Sequence, residues 1–362
     1  MEEEAVAGDR QTGSYLSSLP YEAPELSREI IAIMRREKIH PVLLFGTQSS
    51  GKTLTLQSLF QYALTNDDVN IAISLGETIW PKEHNAFALV QESGRSFLDN
   101  QIIDLTGGHL PEGTTRQSPF FVPVDLIHEG RLTRFAFMEG MGEWFQRETP
   151  GSGAEPGALR DLGFKPFKTV LSQLLGTFEH GISMIFFAPC ADDPRTPSTK
   201  DFADACLANT MREAERLRGD KNRDNLLLLV NKWDAACSPG NAQDHFSDAG
   251  TGVVAERLRD WRFSWAKFAA LQGFPDRARA VMPYSAAWIR PDRTVIASQQ
   301  YSAIFARYNR TLWNWLYGNA QVAFADDSRT PRPVLYDDVM PKIPSRMTSM
   351  ERLTRIATLN RD

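Results

Sequence analysis

The residues best suited to chemistry fall into three short clusters, and the first is read from PVLLFGTQSSGKTLTLQSLF, where Gly46, Gly51, Lys52 and Thr53 stand in the spacing GxxxxGK[ST]. That spacing suits a chain of phosphates. Glycines let successive backbone N–H groups curl around an anion, and a helix beginning there adds the positive end of its dipole. On this reading Gly46, Thr47, Gln48, Ser49, Ser50 and Gly51 wrap the phosphates, while Lys52 reaches the terminal ones as a point charge. Thr53 offers its hydroxyl to Mg2+, which offsets phosphate charge. A glycine turn that only caps a helix would have the same letters; an apolar strand before it and an amphipathic helix after it favour the phosphate site. Such a loop does not choose a base, and it serves kinases as well as hydrolases.

The second cluster addresses the base. NLLLLVNKWDAA is an apolar run ending in Asn231, Lys232, Trp233 and Asp234, the pattern NKxD. In an open parallel sheet, ligands sit at the carboxyl ends of strands. Guanine presents a ring N–H beside an exocyclic amine, so one carboxylate can accept both, and adenine has no such pair. Asp234 is the residue assigned to that task. Asn231 can bridge base and phosphate loop, and the aliphatic stem of Lys232 can lie over the purine. The alternative for these residues is a polar strand end that caps a helix. Tyr284, Ser285, Ala286 and Ala287 end the following strand, where the small residues Ser285 and Ala286 would let backbone N–H groups approach the guanine carbonyl.

These clusters need a scaffold that brings strand ends together, and the apolar pattern supplies one. Apolar runs at 42–45, 120–127, 131–138, 182–187, 226–230 and 280–285 alternate with helical stretches. The expected fold is α/β: a three-layer α/β/α sandwich with a mostly parallel sheet and one antiparallel edge strand. Leu56, Leu59, Phe60, Ala63 and Leu64 make one helical stripe. Val254, Leu258, Trp261, Trp265 and Phe268 make a second, and Phe305, Tyr308, Leu312, Trp315 and Leu316 a third on a closing helix. All three are read as core faces. FFVPVDLI and LTRFAFM, joined at His128, Glu129 and Gly130, form a hairpin.

With five motif positions in order, residues 40–290 resemble the TRAFAC class of P-loop GTPases, and Gly113, Thr114, Thr115 and Arg116 look like the GTTR element of its Era and TrmE branch. The resemblance implies that Thr115 is a switch threonine adding a second hydroxyl to Mg2+ when the terminal phosphate is present. It implies that Gly142 donates its N–H to that phosphate. Glu139 to Gly142 occupies the place of DxxG, with Glu139 in the metal-shell position usually held by aspartate. Glu143 stands where Ras-like members orient water with glutamine, so it is a candidate base. The implied activity is hydrolysis of GTP to GDP and phosphate as a nucleotide-dependent switch read by a protein effector. A scaffold that binds nucleotide with little turnover is one alternative; a P-loop ATPase or kinase in which NKWD is coincidental is another. Long spacers between Thr53 and Thr115 and between Asp234 and Ser285 separate the chain from Era and TrmE proper. It is similar in this respect to GTPases of bacterial conflict or stress systems.

The domain reading is a loosely ordered leader over 1–25, a GTPase domain over 26–320 and a tail over 321–362. Insertions are expected near 65–113, 145–165 and 235–275. SRMTSMERLTRIATLNR in the tail has the period of a basic amphipathic helix, suited to docking on a partner or an anionic membrane, with a helix packed back on its own domain or a frayed end as the alternative. With 362 residues, 42% hydrophobic, the chain can bury a core unaided by metals or disulfides. Its three cysteines, Cys190, Cys206 and Cys237, lack metal-ligand spacing, and the acidic start lacks a signal-peptide pattern, so a cytoplasmic location is expected. No run is long enough to span a bilayer. A net charge of −5 with both signs mixed carries no general nucleic-acid signature.

Overall fold

A computed structural model describes residues 24–47, 49–65, 71–74, 121–139, 169–190, 200–219, 223–236, 258–271, 279–289, 295–296, 299–325, 333–336 and 343–344. Helix α1, Pro24–Arg36, places Arg35 and Arg36 in its last turn, where cations complement the carbonyl end. It stops at Lys38, whose φ of 52° turns the chain into strand β1, Ile39–Phe45. The glycine loop follows, then α2, Lys52–Thr65, and β2, Ile71–Ser74. Strands β3, Phe121–His128, and β4, Arg131–Glu139, form a hairpin. Its turn residues Glu129 and Gly130 have φ of 49° and 74°, the doubly left-handed turn that matches strand twist. The remaining elements are α3 (Thr169–Thr177), β5 (Ser183–Phe187), α4 (Lys200–Arg218), β6 (Asn225–Val230), α5 (Arg262–Ala269) and β7 (Arg279–Pro283). A two-stranded ribbon, β8 (Trp288–Ile289) and β9 (Val295–Ile296), precedes α6 (Gln299–Ala323) and β10 (Ile343–Pro344).

The main sheet runs β10-β7-β6-β5-β1-β4-β3-β2. Its five central strands, β7, β6, β5, β1 and β4, are parallel neighbours, and β1, β5 and β6 are buried along their whole length. Burial on both faces explains why these strands read as unbroken apolar runs. Helices α2 and α6 pack together against the β4 side, and α1, α3, α4 and α5 form a second contiguous layer, giving the expected α/β/α sandwich. Antiparallel pairing goes beyond the single edge strand expected: β3 pairs with β4, β2 with β3, and β10 with β7 at the far edge.

The stripes on α6 and around Trp261 are core, with Tyr308, Leu312, Trp315, Leu316, Leu258, Trp265 and Phe268 all buried. Two details differ. The second stripe is not one helix: a 3-10 turn at Arg259–Trp261 precedes α5, because Trp261 leaves the helical region at φ −111°, ψ 47°. Leu64 is 44% exposed, while Gln57 and Ser58 are buried in its place. Helix α2 contacts β2 and α6, and its Phe60 packs on Phe137 of β4, so polar residues as well as apolar ones on it are buried while Leu64 in its last turn is exposed. Val254 lies outside the described residues.

Candidate nucleotide site at the carboxyl edge of the sheet

The phosphate-loop residues occupy the link from β1 to α2. Phe45 ends the strand, and the chain then turns through Gly46, Thr47, Ser49, Ser50 and Gly51; Gln48 lies outside the described residues. Ser49 and Gly51 have φ of 58° and 88°, and such left-handed steps turn backbone N–H groups toward one side. Gly51 has two reasons to be glycine: its φ, and the amide of Asn231, which a Cβ there would approach at 2.4 Å. At Gly46 a Cβ would meet Ser50 Oγ at 2.4 Å and Phe187 at 3.0 Å. Side chains at either position would fill the cradle.

Lys52 begins α2 and is buried. Its ammonium lies across the loop, donating to Gly46 O at 2.8 Å, Thr47 O at 3.1 Å and Ser50 Oγ at 3.4 Å. Those acceptors carry no formal charge, so a phosphate can outcompete them for the same donors. Thr53, half-buried in the first turn of α2, stands beside it. Glu139 ends β4 opposite Leu44 in the parallel register, which brings its backbone to the sheet edge next to the loop. Thr115, Gly142 and Glu143 lie outside the described residues.

Two strands away, β6 ends at Val230 and Asn231 leaves the sheet, its backbone N–H donating to Ala188 O and its carbonyl accepting from Cys190 N. The Asn231 side chain crosses to the phosphate loop, with Nδ2 3.0 Å from Ser50 O and 3.4 Å from Thr55 Oγ1. Lys232 has φ of 55°, a turn that starts the 3-10 segment Trp233–Ala236 and sets Asp234 at the same edge. Asp234 is clasped from the next strand's end: Ser285 Oγ donates to its Oδ1 at 2.8 Å, and Ile289 N to its Oδ2 at 3.3 Å. Burial pushes its carboxyl above the ordinary range, against the lowering effect of Ser285 and Ile289. Each oxygen can accept a further bond, so the clasp fixes the carboxylate without exhausting it.

The edge therefore brings together Gly46, Thr47, Ser49, Ser50, Gly51, Lys52, Thr53, Asn231, Lys232, Asp234, Ser285 and Ala286. What the motifs did not reveal is how the third loop is held. Tyr284 N donates to Val230 O at 2.9 Å and its carbonyl accepts from Trp233 N at 3.1 Å, lacing the loops after β6 and β7 together. The Tyr284 hydroxyl donates to Asn309 Oδ1 at 2.7 Å, Asn309 Nδ2 to Ser58 Oγ at 3.1 Å, and Ser58 Oγ to Ala286 O at 3.1 Å. The only sequence signal for this set was a polar Ser58 and Asn309 inside otherwise apolar helical surroundings.

A glycine loop between strand and helix at the carboxyl edge of a mostly parallel sheet is a P-loop NTPase fold. No protein-family model matches the chain, and no curated protein matches it. Among solved structures it is similar to the GTPase-like domain of Ski7 from S. cerevisiae bound to GTP, at 13% identity over 76% of this chain and 48% of that one, TM-score 0.28. The same domain bound to GDP and inorganic phosphate matches at 12% identity over 79% and 52%, TM-score 0.29. A bacterial dynamin pair, described as oligomerised and as a mechanism for long-range sensing and tethering of membranes, matches at 12% over 83% and 41%, TM-score 0.29. The chain spans about half the length of the solved chains it matches. Among the described residues no helix is long and apolar enough to cross a membrane.

Proposed function

We propose that the chain binds GTP and GDP with Mg2+ and hydrolyses GTP to GDP and phosphate as a conformational switch. The observation that carries the reading is the bond from Asn231 Nδ2 to Ser50 O, which locks the NKWD strand end onto the phosphate loop. A base held by Asp234 and phosphates held by Gly46 to Lys52 would then belong to one ligand. Asp234 would accept the ring N–H and exocyclic amine of guanine, and the Ala286 N–H would face the guanine carbonyl. Lys52 would exchange its carbonyl acceptors for phosphate oxygens. Thr53, with Thr115 and Glu139, would hold the cation; Mg2+, when bound, supplies charge neutralisation to the terminal phosphoryl groups. Gly142 would contact the last phosphate, so that hydrolysis releases the segments carrying Thr115 and Gly142 for an effector to read.

Competition between GDP and ADP tests the base. Asp234→Asn should weaken GDP by about 30-fold and favour xanthosine diphosphate, since the amide donates where guanine also donates. Preference for ADP would end the guanine reading. A second reading, nucleotide binding with little turnover, is favoured by Glu139 in place of aspartate. Single-turnover GTP hydrolysis with Glu139→Asp and Glu143→Ala separates the two, because only a working hydrolase loses rate when Glu143 is a base.

A further inference from the structure

We propose that Ser58, Asn309 and Tyr284 form a positioning relay that sets the guanine-carbonyl loop from the phosphate-binding helix. The relay rests on the base reading of Asp234 and Ala286 given above. Its parts come from three elements that no nucleotide motif joins: Ser58 is in the second turn of α2, Asn309 in the middle of α6, and Tyr284 directly after β7. All three side chains are buried, at 6%, 3% and 0% exposure.

The donors run in one direction. Tyr284 Oη donates to Asn309 Oδ1, Asn309 Nδ2 donates to Ser58 Oγ, and the Ser58 hydroxyl donates to the Ala286 carbonyl. Tyr284 and Ala286 are two residues apart, so the chain of bonds closes a ring around the loop it supports. Two longer contacts run beside this chain, Ser58 Oγ to Asn309 Oδ1 at 3.5 Å and Tyr284 Oη to Thr55 O at 3.4 Å, and the shorter bonds set the amide orientation of Asn309 and the rotor of Ser58 together. Burial holds the Tyr284 phenol well above its ordinary titration range, so the hydroxyl stays a donor at all working pH values.

Holding the Ala286 carbonyl fixes the peptide plane that follows it and limits the φ and ψ of Ala286 itself. With the Tyr284 backbone pinned to Val230 and Trp233 on one side and the Ala286 carbonyl held on the other, the Ser285–Ala286 peptide between them, which carries the Ala286 N–H, is held in direction, as an acceptor such as the guanine carbonyl requires. Ser58 lies six residues after Lys52 on the same helix. Any shift of α2 when Lys52 engages phosphate therefore moves the Ala286 peptide as well. Base and phosphate recognition are coupled through one hydroxyl.

The test is equilibrium binding of three nucleotides, GDP, inosine diphosphate and 2-aminopurine riboside diphosphate, to wild type, Ser58→Ala, Ser58→Thr and Tyr284→Phe, with melting curves for each. The last nucleotide lacks the carbonyl that Ala286 would meet; inosine diphosphate keeps it and lacks the amine. Ser58→Ala and Tyr284→Phe should each lose GDP and inosine diphosphate affinity by about 5- to 15-fold, one or two hydrogen bonds' worth, with 2-aminopurine riboside diphosphate unchanged. Ser58→Thr, which keeps the hydroxyl, should restore GDP binding. Equal losses on all three nucleotides would make the relay a general prop and overturn the proposal, and so would unaltered GDP affinity in folded Ser58→Ala. A wild type that binds GDP no better than 2-aminopurine riboside diphosphate would instead remove the base reading, and the relay with it.

Discussion

The two edges of the central sheet bury polar groups in opposite ways. At the amino edge Arg218, fully buried, spends every N–H of its guanidinium: Nε and Nη2 on Asp224, Nη1 on Leu175 O and Phe178 O, Nη2 also on His180 O. Asp224 in turn accepts from Ile182 N. His40 at the start of β1 meets Ser183 Oγ at 2.8 Å, and Asn319 of α6 reaches the same oxygen. At the carboxyl edge Lys52 donates to the Gly46 and Thr47 carbonyls, and Asp234 accepts from a hydroxyl and an amide while the Lys232 charge acts on it from the same loop. A charge locked to its opposite is structure, whereas a charge supported by neutral groups keeps its field for a ligand.

That contrast breaks down if the amino edge can be altered cheaply. Arg218→Ala should lower folding stability by about 3–5 kcal/mol in urea unfolding, because it strands the buried Asp224 carboxylate, while the folded fraction keeps its nucleotide affinity. His40 gives a pH test of the same edge. Burial pushes its pKa from an ordinary 6.5 down to about 3, so the folded state rejects the proton. Its stability term is whole above 6.5 and shrinks as pH falls through that window; unfolding at roughly pH 4 should show a loss of about 3 kcal/mol that His40→Leu removes.

The carboxyl edge predicts the reverse pattern. Lys52→Ala should reduce GDP affinity by about 100-fold in titration calorimetry, with a smaller loss of stability than Arg218→Ala, since the Gly46 and Thr47 carbonyls among its acceptors can be served by other donors. The smallest effect concerns Asp234. Its raised pKa means that folding alone is favoured below the ordinary carboxyl pKa and loses that term as pH rises through the folded value. Guanine binding needs the carboxylate ionised, so GDP affinity should climb over the same interval, by at most about tenfold per pH unit. Matching slopes of stability and affinity would blur the distinction between the edges.

Legibility in the sequence follows the same division. The placement of Gly46 to Thr53 between strand and helix, and of Asn231 to Asp234 at a strand end, could be read because each is a pattern along one segment, and the apolar runs marked every central strand. The lattice behind them could not. Ser58 and Asn309 are 251 residues apart, and neither has a local pattern that announces its partner. The β8–β9 ribbon, whose Ile289 N–H reaches Asp234, sits in two-residue strands too short for any period. Leu64 was misplaced because helical periodicity tells which residues share a face but not how many faces are covered. Thr115, Gly142 and Glu143 lie outside the described residues.

Helix α6 has a consequence for how the molecule is made. Its Trp313 packs against Phe60, Phe135 and Phe137, and its Asn314 amide accepts from Leu335 N and Tyr336 N and donates to Tyr336 O. Every strand of the parallel core emerges from the ribosome before α6 does. Until that helix arrives, the aromatic face of β4 and the inner side of α2 stay bare to solvent. A nascent chain halted before residue 299 should thus be a strong client for chaperones that grip exposed apolar surface, and the relay to Ala286 cannot form before that point.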